Sequence, residues 1–114
     1  MDEARRTRAR EDLIAERERL LIELSEAVEA PGQMTYGSQA AAAAQVFEQQ
    51  RGLALRERNE QHLQQVESAL GRLDAGTFGT CRRCGREIAE ERLEALPWAA
   101  DCIDCHRLAD RGRP

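Results

Sequence analysis

Cys81-Arg82-Arg83-Cys84, seventeen further residues, then Cys102-Ile103-Asp104-Cys105: this stretch decides the architecture of the chain. Two residues between paired cysteines let one tight turn aim two sulfurs at the same ion. The spacing of the two pairs is that of a four-thiolate zinc site. Four thiolates fill a tetrahedral ion's coordination. The pattern therefore predicts one structural Zn2+ held by Cys81, Cys84, Cys102 and Cys105, with no open position for catalysis. Gly85 follows the first pair, where such a knuckle often needs positive φ and a close backbone N–H. His106 adjoins a ligand but reads as a surface histidine on a short helix.

Working outward, the 114 residues are 33% charged and only 4% aromatic, which describes long solvated helices better than a thick core. With two Phe, one Tyr and one Trp to fill an interior, the chain needs a staple such as a metal. The formal charge is -4, so no global basic field favours phosphate. From Met1 to Arg10 the chain is charged and lacks an apolar h-region, and no uninterrupted apolar run has membrane length. No membrane partner is expected, and the location predicted is the cytoplasm. In that reducing compartment paired cysteines read as metal ligands before disulfides.

Leu13, Ile14, Leu20, Leu21, Leu24 and Val28 recur at helical spacing between Asp2 and Ala30, predicting one amphipathic helix stopped by Pro31-Gly32. A second helix is predicted from about Ser38 as N-cap through Asp74, marked by Val46, Phe47, Leu53, Leu63, Val66, Leu70 and Leu73. The two are expected to pair antiparallel, with Leu13, Leu20, Leu24, Leu53, Leu63 and Leu70 in the seam. A turn near Met34 would set Leu24 opposite Val46 and Leu13 opposite Arg56. The fold class is thus mainly α. Residues 1–74 form a two-helix coiled-coil hairpin with its tip at about 31–44, and 75–114 form a four-cysteine zinc-finger module ending in a short helix from Ile103 to Asp110. Trp98 reads as a core residue covering that module, and His62 as a residue of the helix surface or seam.

From Ala30 to Phe47 no side chain is charged, although a third of the chain is. Met34, Thr35, Tyr36, Gln39, Ala41 and Ala42 make this tip slim and neutral. Alanine-rich sequence also serves helix propensity alone. A slender neutral tip is in addition suited to entering a partner's cavity, where charge would be costly to desolvate. No Ser/His/Asp arrangement, phosphate-cradling glycine loop or carboxylate pair is visible, so no enzymatic activity and no catalytic residue are predicted.

Ala75-Gly76-Thr77-Phe78-Gly79-Thr80-Cys81, Cys84-Gly85, Ile88, Arg92-Leu93-Glu94-Ala95-Leu96-Pro97 and Cys102-Ile103-Asp104-Cys105 resemble the C-terminal zinc finger of the DksA/TraR family. Upstream, Val46-Phe47-Glu48-Gln49-Gln50 and Leu53-Ala54-Leu55-Arg56-Glu57 are similar to the second coiled-coil helix of DksA-like proteins. The resemblance implies a transcription regulator that binds bacterial RNA polymerase, inserting its coiled-coil tip into the secondary channel without reading promoter sequence. It also brings guanosine tetraphosphate as a ligand, with no residue of this sequence assigned to it. DksA-like proteins usually carry acidic residues at the tip. Tyr36 to Ala44 has none, so no step that needs a tip carboxylate is carried over.

Two rivals from other classes share the cysteines. One is a zinc-ribbon DNA-binding protein dimerised by its coiled coil; the other is a thiol-based redox sensor. From Cys81 to Pro114 seven Arg face seven acids with no interleaved aromatic run, so sequence-specific DNA binding is not expected, and the chain is expected to be monomeric.

Overall fold

The computed structural model describes residues 1–26 and 39–112. Four helices follow in order: α1 (Glu3–Ser25), α2 (Gln39–Ala75), α3 (Glu90–Ala95) and α4 (Ile103–Arg111). Among the described residues there is no strand, only a single antiparallel bridge between Thr80 and Glu87. The mainly helical architecture expected from periodicity is present. Asp2 starts α1 by accepting the Arg5 N–H at 2.8 Å, which satisfies one of the donors a helix start leaves free. At its far end α2 closes where Gly76 takes φ 78°, letting Thr77 N–H reach back to the Arg72 carbonyl at 2.9 Å. Gly52 and Gly71 both lie inside α2 without interrupting it. The last turn expected for the first helix, its Pro31-Gly32 stop, the Ser38 cap and the tip residues Met34, Thr35 and Tyr36 lie outside the described residues.

The two long helices pair antiparallel, but in a different register from that expected. Arg56 donates to the Leu24 carbonyl at 3.1 Å, Asn59 to Glu23 at 3.0 Å, and Arg10 to Asp74 at 2.9 Å. Leu24 therefore lies beside Arg56, ten residues past the Val46 expected (56 minus 46). The cause is where the apolar side chains have to meet. Leu13 and Leu20 are fully buried in one cluster with Val66, Ala69, Leu70 and Leu73, and that contact sets the register. The charged middle of α2 is left to cross the seam through hydrogen bonds. As a result Gln39 to about Gly52 extends beyond the last described turn of α1, by roughly 20 Å at 1.5 Å per residue. Leu53 is 53% exposed there and is not a seam residue, in contrast to the expectation, while Leu24 and Leu63 are half-buried.

The core sits at the root of the arm. Phe78, Cys81, Ile88, Leu93 and Ala99 of the C-terminal module share one buried cluster with the helix-pair leucines. Two exposed ion pairs cross the root, Arg10 with Asp74 and Arg5 with Glu90 of α3. Helix α3 was not foreseen from the cysteine spacing. Its signal is present, since Glu90 to Ala95 contains good helix formers and Pro97 stands just beyond. The radius of gyration is 19.1 Å, against about 13 Å for a compact chain of this length. The molecule measures 61 × 34 × 20 Å, an arm on a small base.

Candidate metal centre

The first cysteine pair sits on a knuckle that the backbone fixes tightly. Cys81 N–H donates to the Arg86 carbonyl at 2.8 Å, and Gly85 N–H donates to the Cys81 carbonyl at 3.0 Å. Gly85 has φ 76°, the left-handed conformation expected at this position. The second pair opens α4, where Cys102 occupies the N-cap and its sulfur accepts the Cys105 N–H at 3.5 Å. One knuckle and one helix start thus aim four sulfurs at a common point.

All four sulfurs lie within 4.8 Å of one another. Cys84 Sγ and Cys102 Sγ are 3.8 Å apart, too far for a disulfide, whose sulfurs are about 2 Å apart. Two sulfurs on a tetrahedral zinc with bonds of about 2.3 Å would be separated by about 3.8 Å. The donor set fits zinc in number, chemistry and spacing. Cys81 is buried at 1% exposure, Cys102 and Cys105 are half-buried, and Cys84 is exposed, so the site opens to solvent on the Cys84 side.

The electrostatics suit an anionic centre that needs a cation. Backbone N–H groups of Cys102, then Cys84 and Arg83, draw the Cys81 thiol down to about 6. Cys105 is pushed up to about 12, first by its hydrogen bond with Cys102, then by burial and by Cys81 and Cys84. Four crowded thiols cannot all ionise alone. A divalent ion resolves the conflict by binding the thiolates and releasing their protons.

A buried carboxylate beside the centre was not singled out from the sequence. Asp101 is 8% exposed and precedes Cys102 directly. Arg82 donates to its carboxylate through Nε at 2.9 Å and Nη2 at 3.4 Å, and Arg83 through Nε at 3.2 Å. Burial alone would push this carboxyl up. The hydrogen bonds and charges of Arg82, then Arg83, outweigh burial and hold it below its ordinary value. Arg82 and Arg83 lie within the first cysteine pair; the acid across from them has no motif to mark it.

Two further contacts tie the module to the arm. Arg72 of α2 donates to the carbonyls of Trp98 and Ala99, at 3.2 and 3.5 Å, and its burial there lowers the guanidinium's pKa. Trp98 is half-buried, packs against the core cluster and meets His62 of α2 edge to face. His62 is a seam residue, reaching Glu16 of α1 at 3.1 Å. His106 is exposed and lies 3.2 Å from Asp110, apart from the ligand set. Of the tip residues expected to meet a partner, Gln39, Ala41 and Ala42 open α2 far from the sulfurs; Gln39 and Ala41 are exposed and Ala42 is half-buried.

A four-thiol finger seated on the root of a two-helix arm defines a zinc-finger protein with a coiled-coil projection. Residues 76–111, about a third of the chain, match the prokaryotic dksA/traR C4-type zinc finger. The RNA polymerase-binding transcription factor DksA of Haemophilus influenzae is 46% identical over 55 residues, 48% of this chain and 38% of that protein. The matched stretch is thus little more than a third of that relative's length. The structure of the transcription factor DksA2 from Pseudomonas aeruginosa superposes with a TM-score of 0.79 at 28% identity, covering 97% of this chain and 87% of the other. The RNA polymerase binding protein and transcriptional regulator Dks from Chlamydia trachomatis shares the fold, with a TM-score of 0.63 at 16% identity over 98% and 94% of the two chains. Among the described residues no helix is long and apolar enough to cross a membrane.

Proposed function

We propose that this chain is an RNA polymerase-binding transcription regulator of the DksA/TraR type, which presents the tip of its coiled coil to the polymerase secondary channel. The observation that carries the reading is the whole-chain likeness to DksA2, arm and finger together, at a TM-score of 0.79. A zinc finger alone fits many functions; a finger at the root of a long slim arm fits far fewer.

The division of labour follows from the chemistry. Cys81, Cys84, Cys102 and Cys105 hold one zinc ion whose role is structural, since four thiolates leave no open position for a substrate. The ion fixes the 75–114 module, and through the shared core that module fixes the direction of the arm, residues 1–74. Met34, Thr35, Tyr36, Gln39, Ala41 and Ala42 form the contact region at the tip. Neutral side chains there lower the desolvation cost of entering a crowded channel. The protein acts as a monomer in the cytoplasm and is not an enzyme. Guanosine tetraphosphate is a candidate co-ligand with no residue assigned.

Capture of purified bacterial RNA polymerase beside a DNA shift assay, both at physiological salt, tests this reading. Stoichiometric capture of polymerase with no DNA shift supports it. Salt-sensitive DNA binding with no polymerase capture would replace it with the dimerised zinc-ribbon reading.

A further inference from the structure

The contact between Asp101 and the Arg82-Arg83 pair links the two halves of the metal centre. The guanidiniums belong to the two residues between Cys81 and Cys84, and the carboxylate belongs to the residue just before Cys102. Every one of these contacts runs from one cysteine pair to the other. Arg82 adds a backbone link in the same place, its N–H donating to the Ala100 carbonyl at 3.0 Å. Arg92 of α3 holds the Asp101 carbonyl at 3.0 Å, so the carboxylate cannot swing away with its own backbone.

We infer that Asp101 is a positioning residue of the metal centre: its buried carboxylate grips both arginines of the first knuckle and holds the two cysteine pairs together for the ion. The inference rests on the zinc reading above. Exposed ion pairs contribute little, but this carboxylate is buried, and a buried charge persists only where partners compensate it. An uncompensated acid next to four thiolates would oppose a centre that is already anionic. With two guanidiniums on one carboxylate, the cluster leaves a net positive charge beside the sulfurs. The same cluster removes part of the ordering that metal capture would otherwise have to impose on two separate loops. Zinc is then retained by its four bonds together with a polar clamp that closes the gap between the pairs.

Three variants separate a clamp from general packing. Asp101→Asn keeps the shape and removes the charge; Arg82→Ala with Arg83→Ala leaves the buried carboxylate unpaired; the triple variant removes both sides. Cobalt(II) titration, followed through the thiolate charge-transfer and tetrahedral d–d bands, reads geometry and affinity. Transfer of zinc to a colorimetric chelator reads the release rate. The clamp predicts about tenfold weaker metal binding and faster zinc release in Asp101→Asn, and a larger loss in the double arginine variant. It also predicts partial recovery in the triple variant, because no charge is then left unpaired. Wild-type cobalt spectra with an Asp101→Asn chain identical in affinity and release would overturn the clamp while leaving the zinc reading intact. A triple variant weaker than the double would overturn it too, since simple loss of packing adds. A wild-type chain without the cobalt bands would overturn the zinc reading and the clamp with it.

Discussion

The His62 and Trp98 rings meet edge to face, with centroids 4.4 Å apart and planes at 83°, and this contact joins the arm to the finger module. His62 belongs to α2 and also reaches Glu16 of α1, so one imidazole touches both long helices and the indole. Trp98 is the only tryptophan in the chain. Its emission therefore reports docking of the module on the arm. Stripping the metal with a chelator should shift the emission to the red as the Trp98 loop loosens, and restored zinc should reverse the shift. An emission maximum unmoved by metal removal would show that the joint does not depend on the centre.

The seam makes a second prediction. Leu20 is fully buried between the helices, whereas Leu53 is 53% exposed beyond the described end of α1. Leu20→Ala should cost about 2–5 kcal/mol, the usual range for a core leucine, and Leu53→Ala within about 0.5 kcal/mol. Denaturant midpoints of the two variants check the ranking. Equal losses would favour the register in which both leucines share the seam.

Much of this was legible in the sequence. Four cysteines at diagnostic spacing marked the metal centre, and leucines at helical spacing marked the two long helices, because both patterns are local. The register was not legible. It is set by which leucines bury against which, and Leu13 with Val66 and Leu70 outcompete a turn centred on Met34. Helix α3 was hidden because its six residues are too few for a helical period to show. Asp101 was hidden because its partners, Arg82 and Arg83, are distant in sequence and adjacent only after the knuckle closes.

Glu16 makes stability depend on pH. A hydrogen bond from Arg19, then that residue's charge and His62, lower its pKa against a smaller opposing effect of burial. A carboxyl lowered on folding contributes stability above its unfolded pKa and loses it as pH falls through the folded value. The stability gap between the wild type and Glu16→Gln should be widest near neutral pH and close as pH falls through the lowered folded-state value. Chemical denaturation at a series of pH values measures it. A gap constant over that range would remove the carboxylate's charge from the account.

Arg72 offers a fourth check, on the arm's direction. Its guanidinium is the α2 group that holds the Trp98 and Ala99 carbonyls. Arg72→Ala leaves those carbonyls without that donor. A loss of about 1–3 kcal/mol is expected, together with a change in Trp98 emission. Unchanged emission would place the docking elsewhere.

If the arm's tip reaches RNA polymerase, site-specific photo-crosslinking from Ala42 to purified polymerase will capture the contact. Crosslinks to polymerase are expected, abolished by a competitor that occupies the secondary channel. Crosslinks to the outer surface alone, or to DNA with none to polymerase, would contradict the proposal.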